Sequence, residues 1–433
     1  MCELLAPTLY PYHDRSNALV DAVKSWKPLV MLHLIDKLNV DPLGCRQPLM
    51  HFALPKILDH AQKQDDLASL LKTLRVLLDK GFQVSSTEPD HGRTPLLQIV
   101  RNIGCEPSRL VTQLHSESAI SFLLQEGADK GAKDAVGKTA LHYAAKQGHH
   151  QMVDFLLRKG FPHDTYDCAG SAPIHLAIEG VLDSSLVCKA QFVELVLGED
   201  RLRALRRLAR WQNCSNINVR SKEEGHTPMH RVLMPMPTYH LCTGKHIVYR
   251  AMVRLLLENG ADPNIVDSDG MTPLHVAVAK PDKAIVDMLT AHPATNLDMI
   301  TANQFGHTAL HHAILYVVCE CSTTSSSSTC PRGTGVGALL TAGAAVDQQD
   351  RVGGTALHHA VVTPPGNGNN HTHPCWHSLK TLISANARID IKDKFGKSPL
   401  DLAVARWLEG VRKILTKNSR KRHHRECKRK NPD

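Results

Sequence analysis

Apolar and polar positions alternate with a clear helical phase along residues 135–167, AVGKTALHYAAKQGHHQMVDFLLRKGFPHDTYD. Leu141, Ala144 and Ala145 fall on one face of a short predicted helix, which Gly148 closes. Val153, Leu156 and Leu157 mark a second amphipathic helix, with Gly160 where a left-handed C-cap belongs. Gly137 supplies a turn residue with positive φ, and Thr139 an N-cap hydroxyl. The pattern predicts one turn–helix–turn–helix unit, and its phase returns 33 residues later at Gly170.

The same glycine opens eight units, at Gly92, Gly137, Gly170, Gly225, Gly270, Gly306, Gly353 and Gly396. Behind them stand related tetrapeptides: Thr94-Pro95-Leu96-Leu97, Thr139-Ala140-Leu141-His142, Ala172-Pro173-Ile174-His175 and Thr227-Pro228-Met229-His230. The series continues with Thr272-Pro273-Leu274-His275, Thr308-Ala309-Leu310-His311, Thr355-Ala356-Leu357-His358 and Ser398-Pro399-Leu400-Asp401. A hydroxyl caps the helix, proline takes the first helical position where no amide partner is lost, and leucine enters the core. Second helices are predicted around Phe122-Leu123-Leu124, Phe155-Leu156-Leu157, Leu255-Leu256-Leu257, Leu339-Leu340 and Leu382-Ile383.

These residues resemble the ankyrin repeat and its T-P-L-H signature. The resemblance implies an all-α ankyrin-repeat solenoid of stacked helix-turn-helix units with β-turn fingers. It also implies that each signature histidine ties its helix to the neighbouring turn. Asp134, Asp167, Asp267, Asp350 and Asp393 would hold the fingers, and the flanking side chains would meet a protein partner. That set is Lys133, Ala135, Tyr166, Cys168, Ser221, Val266, Ser268, Ala302, Gln304, Gln349, Arg351, Lys392 and Lys394. Each of them alone also reads as a solvated loop residue.

The expected organisation is an irregular lead-in at 1–13, a helical cap at 14–43, a degenerate repeat at 44–90, eight repeats at 91–416 and a basic tail at 417–433. Glycine intervals other than 137–170 run from 36 to 55 residues, which predicts loop insertions. They fall at about 101–117, 179–189, 233–247, 315–334 and 362–377. Within Glu199–Trp211, Leu202, Leu205, Leu208 and Ala209 recur at helical spacing among five arginines, which predicts an additional basic helix.

A repeat period removes the usual link between a 433-residue length and several globular domains. Aromatic content of 4% suits a core of small aliphatic side chains between short helices. The N-terminus has no basic region and apolar run of a secretory signal, and no apolar stretch is long enough for a membrane span. The 12 cysteines include no Cys-x-x-Cys pair and are expected to be reduced thiols of an intracellular protein, in cytoplasm, nucleus or both.

Of the formal charge of +9, the tail alone carries +6, from eight Lys/Arg against Glu426 and Asp433. Arg420, Lys421, Arg422, Arg425, Lys428, Arg429 and Lys430 read as an import signal or anionic-partner patch, or as a solubilising tail. His371, His373, Cys375 and His377 are four potential ligands in seven residues, but their spacing matches no zinc module, and no metal site is expected. Cys319, Cys321 and Cys330 bracket a Ser/Thr run that reads as a flexible loop. There is no Gly-x-Ser-x-Gly, phosphate-binding loop, His-Glu-x-x-His or dinucleotide fingerprint, so no enzyme is expected. The expected function is a non-enzymatic protein–protein interaction scaffold, a monomer without cofactor, nucleic acid or membrane, and with protein partners of unknown identity. Alternatives are a nuclear regulator resembling ankyrin co-regulators of transcription factors, imported by a receptor for the tail, and a substrate-receptor subunit of a ubiquitin ligase.

Overall fold

The computed structural model describes residues 75, 78–79, 83–103, 110–182, 192–211, 217–234, 243–280, 282–301, 305–315, 331–362, 374–405 and 410–416. The lead-in, the helical cap, nearly all of the degenerate repeat, the Ser/Thr run, His371, His373 and the basic tail lie outside these residues. The chain divides into two compact units, Met1–Asn216 and Ile217–Asp433.

In the first unit the helices are α1 (Pro95–Asn102), α2 (Leu110–Gln125), α3 (Ala140–Gln147), α4 (His150–Arg158), α5 (Pro173–Leu182) and α6 (Phe192–Arg210). First helices stack on first helices (α1 on α3, α3 on α5) and second on second (α2 on α4, α4 on α6). The second unit repeats the scheme with α7 (Pro228–Leu233), α8 (Thr243–Glu258), α9 (Pro273–Val278), α10 (Lys283–Ala291), α11 (Ala309–Leu315), α12 (Pro331–Thr341), α13 (Ala356–Val362), α14 (Pro374–Ser384) and α15 (Pro399–Ala405). Residues 410–416 are also helical, with Leu415 buried. Among the described residues the only β pairing is two isolated bridges, Ile300–Thr308 and Gln349–Thr355, so the fold is all-α.

The local signals act as their chemistry requires. All eight signature glycines have φ between 61° and 79°, a left-handed region that side chains with a Cβ avoid. At Gly137 space forbids a side chain as well, because a Cβ would sit 2.9 Å from the Cys168 backbone nitrogen. Thr94, Thr139, Thr227 and Thr272 are extended N-caps, and Pro95, Pro228 and Pro273 begin their helices. Second helices end at Gly127, Gly160, Gly260 and Gly343, and at Asn386 (φ 63°) the same turn is made by the residue that best tolerates it. The core is Leu123, Leu141, Ala144, Val153 and Leu156 in the first unit, and Leu256, Leu274, Leu310, Leu339 and Leu382 in the second, each at most 2% exposed.

Two expectations need correction. Residues 199–211 do not form a separate basic helix. Apart from Trp211 they continue α6 without a break, and Ala204, Leu205, Leu208 and Ala209 are its buried face. The expected loop at 101–117 is helical from Leu110 onward. The other expected insertions fall wholly or mainly outside the described residues.

Candidate functional site

Five of the fingers are each built around one carboxylate. Asp134 Oδ1 accepts the amides of Val136 (3.0 Å) and Lys138 (2.7 Å), and Asp267 those of Asp269 (3.0 Å) and Met271 (2.9 Å). Asp350 holds Val352 (2.9 Å) and Gly354 (2.7 Å), and Asp393 holds Phe395 (2.9 Å) and Lys397 (2.8 Å). Asp167 accepts from Ser171 at 2.8 Å.

Successive fingers are then joined by backbone hydrogen bonds. The amide of Ala135 donates to His91 O (2.9 Å), and that of Cys168 to Val136 O (2.9 Å). In the second unit the pairs are Ser268 to Glu224 (3.0 Å), Arg351 to Phe305 (2.9 Å) and Lys394 to Val352 (2.9 Å). Five of the expected partner-contacting positions thus have their backbone committed to the stack while their side chains stay exposed. Lys133 Nζ donates to Tyr166 O (2.9 Å), and Gln349 Nε2 to Lys392 O (3.2 Å), bridging neighbouring fingers at the position before the aspartate. Lys392 is exposed, whereas Tyr166 and Val266 are half-buried. Ala302 and Gln304 lie outside the described residues.

Ser221 does not belong to this exposed set. It is buried, and its Oγ accepts the His226 amide at 3.0 Å while its carbonyl accepts from Gly225. That finger is one residue longer, so Ser221 takes the aspartate's place. Thr301 does the same in the next long finger, its Oγ1 accepting from His307 N at 2.9 Å. The residue just before the turn glycine was not among the expected contacts, yet it exposes apolar surface: Val136, Phe305 and Phe395 are 51%, 41% and 76% exposed. Its signal in the sequence is only the apolar residue ahead of Gly137, Gly306 and Gly396, where the fingers at Gly92, Gly225 and Gly270 have His91, Glu224 and Asp269.

Lys133→Ala is expected to lower stability by less than about 0.5 kcal/mol, since an exposed bridge to a carbonyl contributes little against solvent. Chemical denaturation followed by circular dichroism checks this.

Behind the fingers, the signature histidines join repeats. His142 Nδ1 accepts from Thr139 N (3.1 Å) and lies 2.8 Å from its hydroxyl. That leaves the proton on Nε2, which donates to Ser171 O at 3.0 Å. His230 reaches Met271 O (3.0 Å), His275 reaches His307 O (3.2 Å), His311 reaches Gly354 O (3.2 Å) and His358 reaches Lys397 O (3.1 Å). Burial holds these rings neutral: it lowers His142, takes His230 and His275 to about 4, and takes His311 to about 3. Asp401 stands in the histidine's place in α15, accepting from Ser398 N (2.9 Å) and Oγ (2.7 Å). No described finger follows that would accept from an imidazole there.

On the outer side of α4 and α6, Arg203, Arg206, Arg207 and Arg210 line a groove of about 550 Å³ with Asp154 and Trp211. Arg203 lies 3.3 Å from Asp200 and Arg207 lies 3.7 Å from Asp154. The remaining cationic character suits an anionic group.

A family model described as ankyrin repeats in three copies matches residues 108–199 and 243–322. These are ankyrin repeats. Dog Inversin is 27% identical over 219 residues, 48% of this chain and 19% of that protein. Human Inversin is 26% identical over 233 residues, 52% and 21% of the two chains. The nuclear factor NF-kappa-B p105 subunit of Gallus gallus is 28% identical over 165 residues, 38% and 14%. The chain thus spans about a fifth of the length of the Inversin relatives it matches. Among solved structures, the ankyrin repeat domain of Bcl-3 aligns with a TM-score of 0.45 and 23% identity, covering 65% of this chain and 99% of that one. No described helix is long and apolar enough to cross a membrane.

Proposed function

We propose that the chain is a non-enzymatic protein-interaction scaffold whose partner lies along the fingers. One observation carries this reading. The backbone bonds Arg351 to Phe305 and Lys394 to Val352 hold three successive fingers of the second unit in line, and along that line Phe305, Arg351, Lys394 and Phe395 are exposed. Exposed aromatic rings between cationic side chains, on a backbone already hydrogen-bonded, are the residue types that carry interface energy, with little left to order on binding. The Arg351 stem lies across Gly306, where a Cβ would meet its Cγ at 2.5 Å, so the guanidinium is presented from a fixed base.

The partner is a protein, and the scaffold itself is read as an intracellular monomer. Import through Arg420–Lys430 rests on composition alone and takes second place to the finger surface. In a pull-down with mass spectrometry, the combined variant Arg351→Glu, Lys394→Glu and Phe395→Ser is expected to recover at least about tenfold less of the partners that the native chain retains. Circular dichroism should show native helicity for the variant. Recovery of the same partners at the same level would move binding to the insertions or the tail and reject the finger reading.

A further inference from the structure

We propose that His307, Asp350 and His359 form a binding site for a divalent transition-metal ion of the zinc class at the junction between two repeats of the second unit. The ligand atoms of these three side chains all lie within 4.8 Å of one another. Asp350 Oδ2 is 2.7 Å from His359 Nε2 and 3.7 Å from His307 Nε2. Two imidazole nitrogens and one carboxylate oxygen are a donor set that suits zinc and leaves a fourth position for water or a partner's side chain.

The supporting shell is already in place. Asp350 Oδ1 is fixed by the amides of Val352 and Gly354, which turns Oδ2 toward both imidazoles. The His307 ring stacks on Phe305, with centroids 5.3 Å apart and planes 8° apart. Side-chain exposure is 5% for His307 and 1% for Asp350, while 23% for His359 leaves a path by which an ion can enter.

The other junctions show what these positions hold when they only join repeats. The set comprises the residue before the signature, the finger aspartate of the next repeat, and the residue after that repeat's histidine position. It reads Arg93, Asp134 and Tyr143 at one junction, and Lys138, Asp167 and Leu176 at the next. In the second unit it reads His226, Asp267 and Val276, then Met271, Thr301 and His312, and finally Gly354, Asp393 and Leu402. Among these junctions only His307, Asp350 and His359 bring three good ligands to one point. At Arg93–Asp134–Tyr143 the tyrosine hydroxyl donates to Asp134 Oδ2, a purely structural contact.

Gly354 adds an independent observation. It is not among the positive-φ glycines, so its backbone does not call for glycine. A Cβ on it would stand 3.2 Å from Asp350 Oδ2 and 3.2 Å from His359 Nε2. The equivalent positions Arg93, Lys138, His226, Met271, His307 and Lys397 all carry side chains. At this junction the side chain is absent just where it would cover the ligand atoms. Without a metal, the same geometry serves a His359–Asp350 hydrogen bond, and the experiment separates the two.

The full chain, stripped with a chelator and freed of it, is titrated with Co²⁺ as a spectroscopic probe and then with Zn²⁺. Visible d–d bands of a four- or five-coordinate ion are expected, displaced by zinc, together with a zinc-dependent rise in unfolding temperature. His359→Gln and Gly354→Ala should each weaken binding by at least about tenfold and abolish the bands, with helicity unchanged. His373→Ala combined with Cys375→Ala should leave them intact. Two results would overturn the site: no bands in the native chain, or bands that persist in both His359→Gln and Gly354→Ala.

Discussion

Leu156→Ala is expected to lower the stability of the first unit by roughly 2–5 kcal/mol. Leu156 is 0% exposed in the last turn of α4, and α4 packs on both α2 and α6. Removing the side chain forfeits its transfer free energy, and the stacked neighbours cannot close the space from both sides at once. Its carbonyl accepts from Phe161 N at the turn that ends the helix, so the truncation lies close to the C-cap geometry. Leu156→Met, which nearly conserves volume, should cost less than about 1.5 kcal/mol. The midpoint of chemical denaturation, measured for both substitutions beside Lys133→Ala, checks the assigned register. A Leu156→Ala midpoint no lower than that of Lys133→Ala would mean that the buried face of α4 has been assigned to the wrong residues.

Most of this fold is legible in sequence because its determinants act over a few residues. A glycine with positive φ, a hydroxyl at the N-cap, a proline at the first helical position and an aspartate that collects amides two and four residues on are all short-range devices. Each acts within the repeat that carries it, whatever the insertions between repeats. Reading fails where a local signal is overridden or displaced. Gly198-Glu199-Asp200 looks like a helix stop, yet α6 runs through it because Ala204, Leu205 and Leu208 must reach the core. Ser221 looks like an exposed flanking residue only if the finger has the usual length. The His307–Asp350–His359 cluster escapes a spacing search altogether, since its members come from two repeats separated by an insertion. It becomes visible once the repeats are aligned on their signatures and read across the junction.

Lowering the pH from 7 to 5 is expected to destabilise both units, through imidazoles that burial keeps neutral. For His230 the folded pKa is about 4 against an ordinary value of 6.5. The unfolded chain therefore binds the proton first as the pH falls through 6.5, and the folded state takes it up only near 4. Stability contributed by neutral His230 is thus complete above about pH 7, and at pH 5 the loss amounts to about 2 kcal/mol. His142 shifts in the same direction for the same reason, burial, with the Ser171 carbonyl opposing it in part. Protonation of either ring also turns Nδ1 from the acceptor of the Thr227 or Thr139 amide into a donor facing it, which opens the cap and releases the helix start. His230→Gln should be less stable than the native chain at pH 7, because a glutamine that keeps the capping contact to Thr227 N loses the reach to Met271 O. Its further loss between pH 7 and 5 should, however, be smaller than the native chain's by about 2 kcal/mol. Denaturation midpoints of the two proteins across that pH range provide the measurement. Parallel pH profiles would show that His230 is not the proton acceptor and that its ring is already charged, or already exposed, at neutral pH.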